Sequence, residues 1–331
     1  MVTISDIAKA TRHSTATVDR VLNNRPGVRE TTRQTILKAA ADLKYARALP
    51  ATLTFDFVLP STGGFMRMLA EYINRLALDS DVGRQVNLHF VNYDAPEALV
   101  DLLETFHGSS AGVGLVALDH ILIREALKGL IRKNVPVVTL LTDISSLPHQ
   151  GYIGTDNRLA GRLAGHLIGK FLSGRKGKAA IFTGSRAYRG HEEREMGFRS
   201  IMREHFPNLH VLDALEIGES ESAALAATKE LLASHPDLAA IYNIGAGTGG
   251  IAQALRDVPE ASKPVLVAHD LSADTRRHLL SGAIDVILDQ NAELTAKRAV
   301  TRLKSAVDNQ MLGVCEVMDS RIIFKDNIPQ A

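Results

Sequence analysis

Ser5-Asp6-Ile7-Ala8-Lys9-Ala10-Thr11-Arg12-His13-Ser14-Thr15-Ala16-Thr17-Val18-Asp19-Arg20-Val21-Leu22-Asn23 decides how the start of this chain folds. Ser5 is a capping residue type, and Ile7 and Ala10 share one helical face, which predicts a helix over 5–12. Ser14 can cap a second helix, Thr15 to Leu22, with Val18, Val21 and Leu22 turned inward. Asn23-Asn24-Arg25-Pro26-Gly27 stops it, and a third helix over about Glu30 to Leu43 buries Ile36, Leu37, Ala40 and Leu43. Two short helices joined by a tight turn make the second a reader of the DNA major groove. Arg20 suits a bidentate pair with guanine, and the methyls of Thr15 and Ala16 suit thymine. Thr17, Asn23 and Arg29 are better placed for phosphates. A three-helix bundle with a merely solvated basic face is the other reading.

Charge supports the first. Residues 1–50 hold nine Lys/Arg against four Asp/Glu, and the remaining 281 hold 29 against 33. A whole-chain charge of +1 thus hides a basic head on a mildly acidic body. The single Cys315 excludes an intrachain disulfide and a multi-cysteine zinc site. No apolar run approaches the roughly 18 residues of a membrane helix. The first residues lack a signal peptide's basic and apolar regions, so the expected location is the cytoplasm.

Outward from the head, β-rich apolar runs alternate with amphipathic stretches. The runs are 54–59, 86–91, 113–118, 136–141, 178–183, 211–217, 238–244, 264–268 and 284–288, with helices near 66–79, 95–106, 122–133, 157–172, 191–205 and 222–234. That rhythm predicts an α/β body of two doubly wound parallel sheets. The expected division is a head over 1–48, a linker over 49–53 and a two-lobed body over 54–331. Its first lobe spans about 54–155 plus a C-terminal return, its second about 156–288.

Such sheets bind ligands beyond the carboxyl ends of their strands. The candidates gathered there are Ser61 to Met66, Asp119-His120, Thr142-Asp143, Asp156-Asn157, Gly184-Ser185, Asn243, His269-Asp270 and Asp289-Gln290. A cleft of carboxylates, amides and an aromatic suits a neutral, hydroxyl-rich molecule. Each residue taken singly is more readily a cap or a loop residue than a ligand contact; their repetition at successive strand ends is the signal.

Val2 to Ala8, Ser14 to Asn23 and Val28 to Arg33 resemble the headpiece of the lactose-repressor (LacI/GalR) family, and residues 54–328 resemble that family's periplasmic-binding-protein-like effector domain. The resemblance implies DNA contacts by Thr3, Ser5, Ser14, Thr15, Ala16, Thr17, Arg20, Asn23 and Arg29. It implies effector contacts by Phe65, Asp119, Asp156, Arg194, Asn243, Asp270 and Gln290. It further implies a homodimer on a double-stranded operator, closing through helices 66–79 and 95–106, and a sugar, polyol or related effector. The C-terminus shows no appended heptad helix, which favours a dimer over a tetramer. Three features of the head depart from the family. Arg12 stands where it has a turn glycine, Asp19 stands where it has serine, and only Tyr45 to Thr52 intervenes where it has a longer hinge. Leu49 is the one candidate minor-groove wedge, with Pro50 directly after it. In the body, the acid that usually follows Asn243 is missing.

A rival reading rests on Gly245-Ala246-Gly247-Thr248-Gly249-Gly250. It fits G-x-G-x-x-G between a strand and a helix, with Asp270 twenty residues on, as an NAD-linked oxidoreductase would require. A transporter's solute-binding protein is a third reading. His191-Glu192-Glu193 is not HExxH, and Ser185 lacks the G-x-S-x-G elbow, so neither a zinc protease nor a serine hydrolase is indicated. No catalytic set, metal or cofactor is expected.

Overall fold

The computed structural model describes residues 3–22, 27–43, 54–61, 63–77, 85–92, 96–149, 151–308 and 315–329. Asn23 and the hinge residues, Leu49 included, lie outside them. The chain divides into two units between Thr52 and Leu53.

The first unit is α1 (Ile4–Thr11), α2 (Thr15–Leu22) and α3 (Glu30–Asp42). Thr3, and not Ser5, caps α1: its Oγ1 accepts from the Asp6 amide while the Asp6 carboxylate accepts from the Thr3 amide at 2.8 Å. Ser14 starts α2 as expected, accepting from the Thr17 amide at 3.1 Å. Ile7, Ala8, Val18, Val21, Ile36 and Ala40 form the core. Ala8 replaces Ala10, which is exposed, and Leu37 and Leu43 also stay at the surface. Three short helices leave room for only one buried row each.

Arg12 ends α1 in the left-handed region at φ 55°, where its amide closes on the carbonyls of Ala8 and Lys9. The turn demands that conformation, and a Cβ there costs about 1 kcal/mol. Arg12→Gly should therefore stabilise the head by about 0.5–1 kcal/mol, the relief exceeding glycine's extra chain entropy. Amide exchange at Ile7 and Val18 in the full chain should slow about two- to fivefold; unchanged or faster exchange would contradict it.

The second unit holds β1 (Thr54–Pro60), α4 (Gly64–Ala77), β2 (Val86–Val91), α5 (Pro96–Thr105), β3 (Ser110–Leu115), α6 (Ile121–Arg132), β4 (Val137–Leu140) and β5 (Tyr152–Thr155). It continues with α7 (Asn157–Leu172), β6 (Gly177–Thr183), α8 (Arg189–His205), β7 (Leu209–Glu216), α9 (Glu221–Ser234), β8 (Leu238–Asn243) and α10 (Thr248–Leu255). Last come β9 (Val265–His269), α11 (Ala273–Leu280), β10 (Val286–Asp289), α12 (Ala292–Val307), β11 (Cys315–Met318) and β12 (Arg321–Ile323). Two six-stranded sheets result, in the orders β2-β1-β3-β4-β5-β11 and β7-β6-β8-β9-β10-β12. Every pairing is parallel except β10 with β12. Central strands such as β3 and β8 are buried along their whole length, because helices cover both faces. The expected α/β class with two doubly wound sheets is what forms.

The chain crosses between lobes three times: from β5 into α7, from β10 into α12, and from β11 into β12. Although α12 follows the second sheet, it packs on α4, β3 and β4, so the first core includes Ala296, Ala299 and Leu303. The runs at β5, β11 and β12 are too short, at four, four and three residues, to stand out as strands in the sequence. In each sheet the strand order reverses between the first and third strands of its lobe, and that is where a crevice opens at the carboxyl ends.

Candidate functional site

The cleft between the lobes encloses about 920 Å³ of empty space, its open mouth included. From the first lobe come Pro60, Phe65 in the first turn of α4, Val116 after β3, and Thr142 after β4. From the second come Asn157, Tyr188, His191, Arg194, the Ile244–Gly249 loop, His269, Asp270, Ser272 and Gln290. Aromatic and aliphatic walls thus face a few polar groups.

Arg194 is held deep in this wall at 4% exposure. Its Nε donates to Asn157 Oδ1 at 2.8 Å and its Nη1 to the Ile244 carbonyl at 2.9 Å. Asn157 in turn donates to the Leu141 carbonyl at 3.0 Å, which ties the arginine to the first lobe. The glycines of α7 and α8 allow this. A Cβ on Gly161 would stand 1.9 Å from the Arg194 carbonyl oxygen, and one on Gly197 2.0 Å from that of Arg158. The two helices therefore touch through bare backbone.

Asp270 follows β9 in the left-handed region, φ 69°, and accepts from Gln290 Nε2 at 2.9 Å. Burial pushes its carboxyl up to about 7, against the opposing pull of Arg194 and the Gln290 hydrogen bond. Burial and the Arg194 charge also hold His191 down to about 3 and His269 well below the usual imidazole value, so both rings are neutral. His269 Nε2 lies 2.8 Å from the Tyr242 hydroxyl, while His269 Nδ1 and Gln290 Oε1 are buried without a partner.

Phe65, Arg194, Asp270 and Gln290, named from the sequence, all line the cleft. Three others do not. Asp119 binds Arg124 Nη2 at 2.5 Å and the Ser145 amide at 3.2 Å, which fixes the loop after β3. Asp156 caps α7, accepting from the Leu159 amide at 2.9 Å, and the next residue, Asn157, is the one turned inward. Asn243 lies fully buried beneath the loop it organises, donating to the carbonyls of Gly245 and Ala246 and to Thr248 Oγ1. Sequence reasoning names neither His191 nor Tyr188 as a contact. Both lie at the entry to α8, where no strand end marks them.

The glycine loop borders the same cleft, but its glycines answer to packing. A Cβ on Gly250 would stand 2.0 Å from the Glu221 carbonyl oxygen, and Gly247 opens α10 at φ 85°. The Glu221 carboxylate accepts from the Gly250 amide at 2.5 Å, so the helix N-terminus that a pyrophosphate would need already faces an anion.

In the head, Thr3, Ser5, Ser14, Thr15, Ala16, Arg20 and Arg29 are exposed and Thr17 is half-buried, its hydroxyl 2.8 Å from that of Ser14. Thr15, Ala16 and Arg20 share α2 with the buried Val18 and Val21, so one helix serves both core and surface. No described helix is long and apolar enough to cross a membrane, and no metal-binding cluster occurs among the described residues.

Residues 3–48 match the model of the bacterial regulatory proteins, lacI family, and residues 55–311 that of the periplasmic binding protein domain. The chain carries a lacI-family head and belongs, through its body, to the periplasmic binding protein domain family. The chain is 25% identical over 275 residues to the probable HTH-type transcriptional repressor ExuR of Bacillus subtilis, covering 78% of the chain and 79% of that protein. It is 28% identical over 195 residues to the ribose import binding protein RbsB of Haemophilus influenzae, covering 58% and 64% respectively. Its fold is that of GanP, a glucose-galactose binding protein from Geobacillus stearothermophilus, at TM-score 0.75 and 22% identity over 84% of this chain and 99% of that one. It is also that of a solute binding protein from Burkholderia graminis in complex with D-arabinose, at TM-score 0.77 and 21% identity over 84% and 97%. A lacI-family head joined to a periplasmic-binding-protein body is the composition of a transcriptional regulator.

Proposed function

We propose that this chain is a repressor that binds a double-stranded operator as a homodimer and responds to a sugar or polyol held between its lobes. It acts in the cytoplasm, where the operator is. The observation that carries the reading is Arg194, buried between the lobes and bonded through Asn157 to the first lobe's Leu141 carbonyl, in a chain that also carries a lacI-family head. A molecule contacting Arg194 bears on both lobes at once and so changes their closure. Closure then alters operator affinity by a coupling of about 1–3 kcal/mol. In the head, Arg20 and the methyls of Thr15 and Ala16 read base edges, and Arg29 and Thr17 hold phosphates. In the cleft, Phe65 packs on the sugar ring while Arg194, Asp270 and Gln290 meet its hydroxyls. Asn243 shapes the loop beside it without touching the ligand.

The test is binding of the full chain to its own upstream DNA across a salt series, with and without a panel of sugars and polyols. Selective binding that one compound shifts is expected. Arg194→Ala should weaken that compound's effect at least tenfold and leave DNA affinity unchanged, since it removes charged hydrogen bonds worth about 1.5–3 kcal/mol each. Arg20→Ala should relax specificity at one base pair by about 1–3 kcal/mol and leave the sugar response intact. A normal response in the Arg194 variant would remove the pocket assignment. No selective DNA binding at any salt would remove the regulator.

A further inference from the structure

The polar groups of the cleft are unevenly matched. Its carboxylates are Glu219, Glu221, Asp270 and Asp274, and among the described lining residues the only Lys or Arg is Arg194. Both lining histidines are neutral. Arg194 already commits Nε to Asn157 and one Nη1 hydrogen to the Ile244 carbonyl, which leaves a ligand only the outer end of the guanidinium. The buried Gln290 Oε1 has no partner and can only accept. Asp270, ionised, also only accepts, and Gln290 Nε2 serves one of its oxygens alone. These groups call for hydroxyl hydrogens, and a carboxylate brings none. Even the cleft's own Asp270 is pushed toward its protonated form despite the nearby Arg194, so the site tolerates one buried negative charge poorly and a second worse.

We propose that the cleft selects an uncharged, hydroxyl-donating sugar or polyol and rejects the carboxylate-bearing analogue of the same skeleton. Asp270 and Gln290 set this selection. The proposal rests on the sugar-responsive reading above and adds the charge of the ligand to it. A ligand carboxylate about 8 Å from Asp270, at an effective dielectric of about 20, meets a repulsion that corresponds to roughly thirtyfold in affinity.

Calorimetric titration of the full chain at pH 8 with matched pairs tests it. The pairs are D-galactose with D-galacturonate, D-glucose with D-glucuronate, and D-ribose with D-ribonate, and myo-inositol and D-arabinose are added as further neutral compounds. The expected result is that the tightest binder is neutral and exceeds its acid partner, or for the unpaired compounds every acid, by more than tenfold. Asp270→Asn should narrow that gap at least threefold, and a melting curve like that of the parent shows that the variant is folded. A gap below tenfold, or an acid that binds more tightly, overturns the charge selection and leaves the sugar-responsive reading standing. If no compound of either kind binds, the sugar-responsive reading falls and this inference falls with it.

Discussion

Gly161→Ala should be the most damaging single methyl in the body. The added Cβ meets the Arg194 carbonyl oxygen at 1.9 Å, and a backbone oxygen cannot rotate away as a side chain does. Relief requires α7 and α8 to separate by more than an ångström along their shared face. That face also seats Ile201 against Gly165 and Phe206 against Gly169. Overpacking of this kind costs about 3 kcal/mol or more. The consequence reaches the cleft directly, because the displaced residue is Arg194 itself, whose bonds to Asn157 and Ile244 define the wall. Thermal unfolding should drop by about 6 °C or more, and the response to the active sugar should weaken at least tenfold. Gly129→Ala is the matched control. It sits in α6, where a Cβ would meet His107 at an ordinary 3.7 Å, so alanine should be neutral or stabilise by about 0.5–1 kcal/mol. Equal melting of the two variants would mean that the helices are not in backbone contact.

Asp270→Asn should stabilise the protein and impair its response, both in a pH-dependent way. In the folded state burial raises this carboxyl from 3.8 to about 7. Arg194 on α8 and Gln290 after β10 oppose the rise, and Asp289 and Glu219 add to it. A group with a raised folded pKa holds a proton that the unfolded chain has lost. Stability is therefore fullest below about pH 4 and declines as pH rises toward 7, beyond which the loss is complete. Asparagine removes that loss and keeps an oxygen for Gln290 Nε2. The variant's advantage should thus be small near pH 4 and grow to about 2–4 kcal/mol at pH 8. Melting at pH 5 and pH 8 reads the difference directly. An advantage that did not grow with pH would show that Asp270 ionises freely in the folded protein. Sugar affinity should fall about tenfold at pH 8, where the lost acceptor is charged, and less at pH 5. That would be a site retained for binding although it lowers stability.

The gross architecture was legible because it depends on patterns that local chemistry enforces. Alternation of β-rich runs with amphipathic stretches requires parallel sheets covered on both faces, and two sheets follow from the number of runs. The head was legible for the same reason: Ser14 before Thr15, and the stop at Asn23 to Gly27, set its second helix before any tertiary contact exists. The strain at Arg12 was likewise visible as an arginine where a turn calls for glycine, and the observed φ of 55° shows the turn's demand.

What the sequence determined about the site was a set of adjacent pairs at strand ends. It did not choose between their members. From Thr142-Asp143 the fold takes Thr142, and Asp143 turns to His149 and Thr139. From Asp156-Asn157 it takes Asn157, because Asp156 serves as a helix cap. From Asp289-Gln290 it takes Gln290, and Asp289 binds Arg321 on β12. In each case the acid, which the sequence makes the more obvious ligand contact, is held by a structural bond. The deciding partners are His149, the α7 amides and Arg321. Only the last is distant in sequence, and β12, which carries it, is a three-residue strand with no pattern of its own. Asn243 repeats the theme: its amide is committed to the loop that follows it. Adjacent side chains on an extended strand point to opposite faces, and a helix start turns one of them back on its own backbone. Which one then faces a ligand depends on where the second lobe lies, and that is fixed only when three crossings of the chain have brought the lobes together.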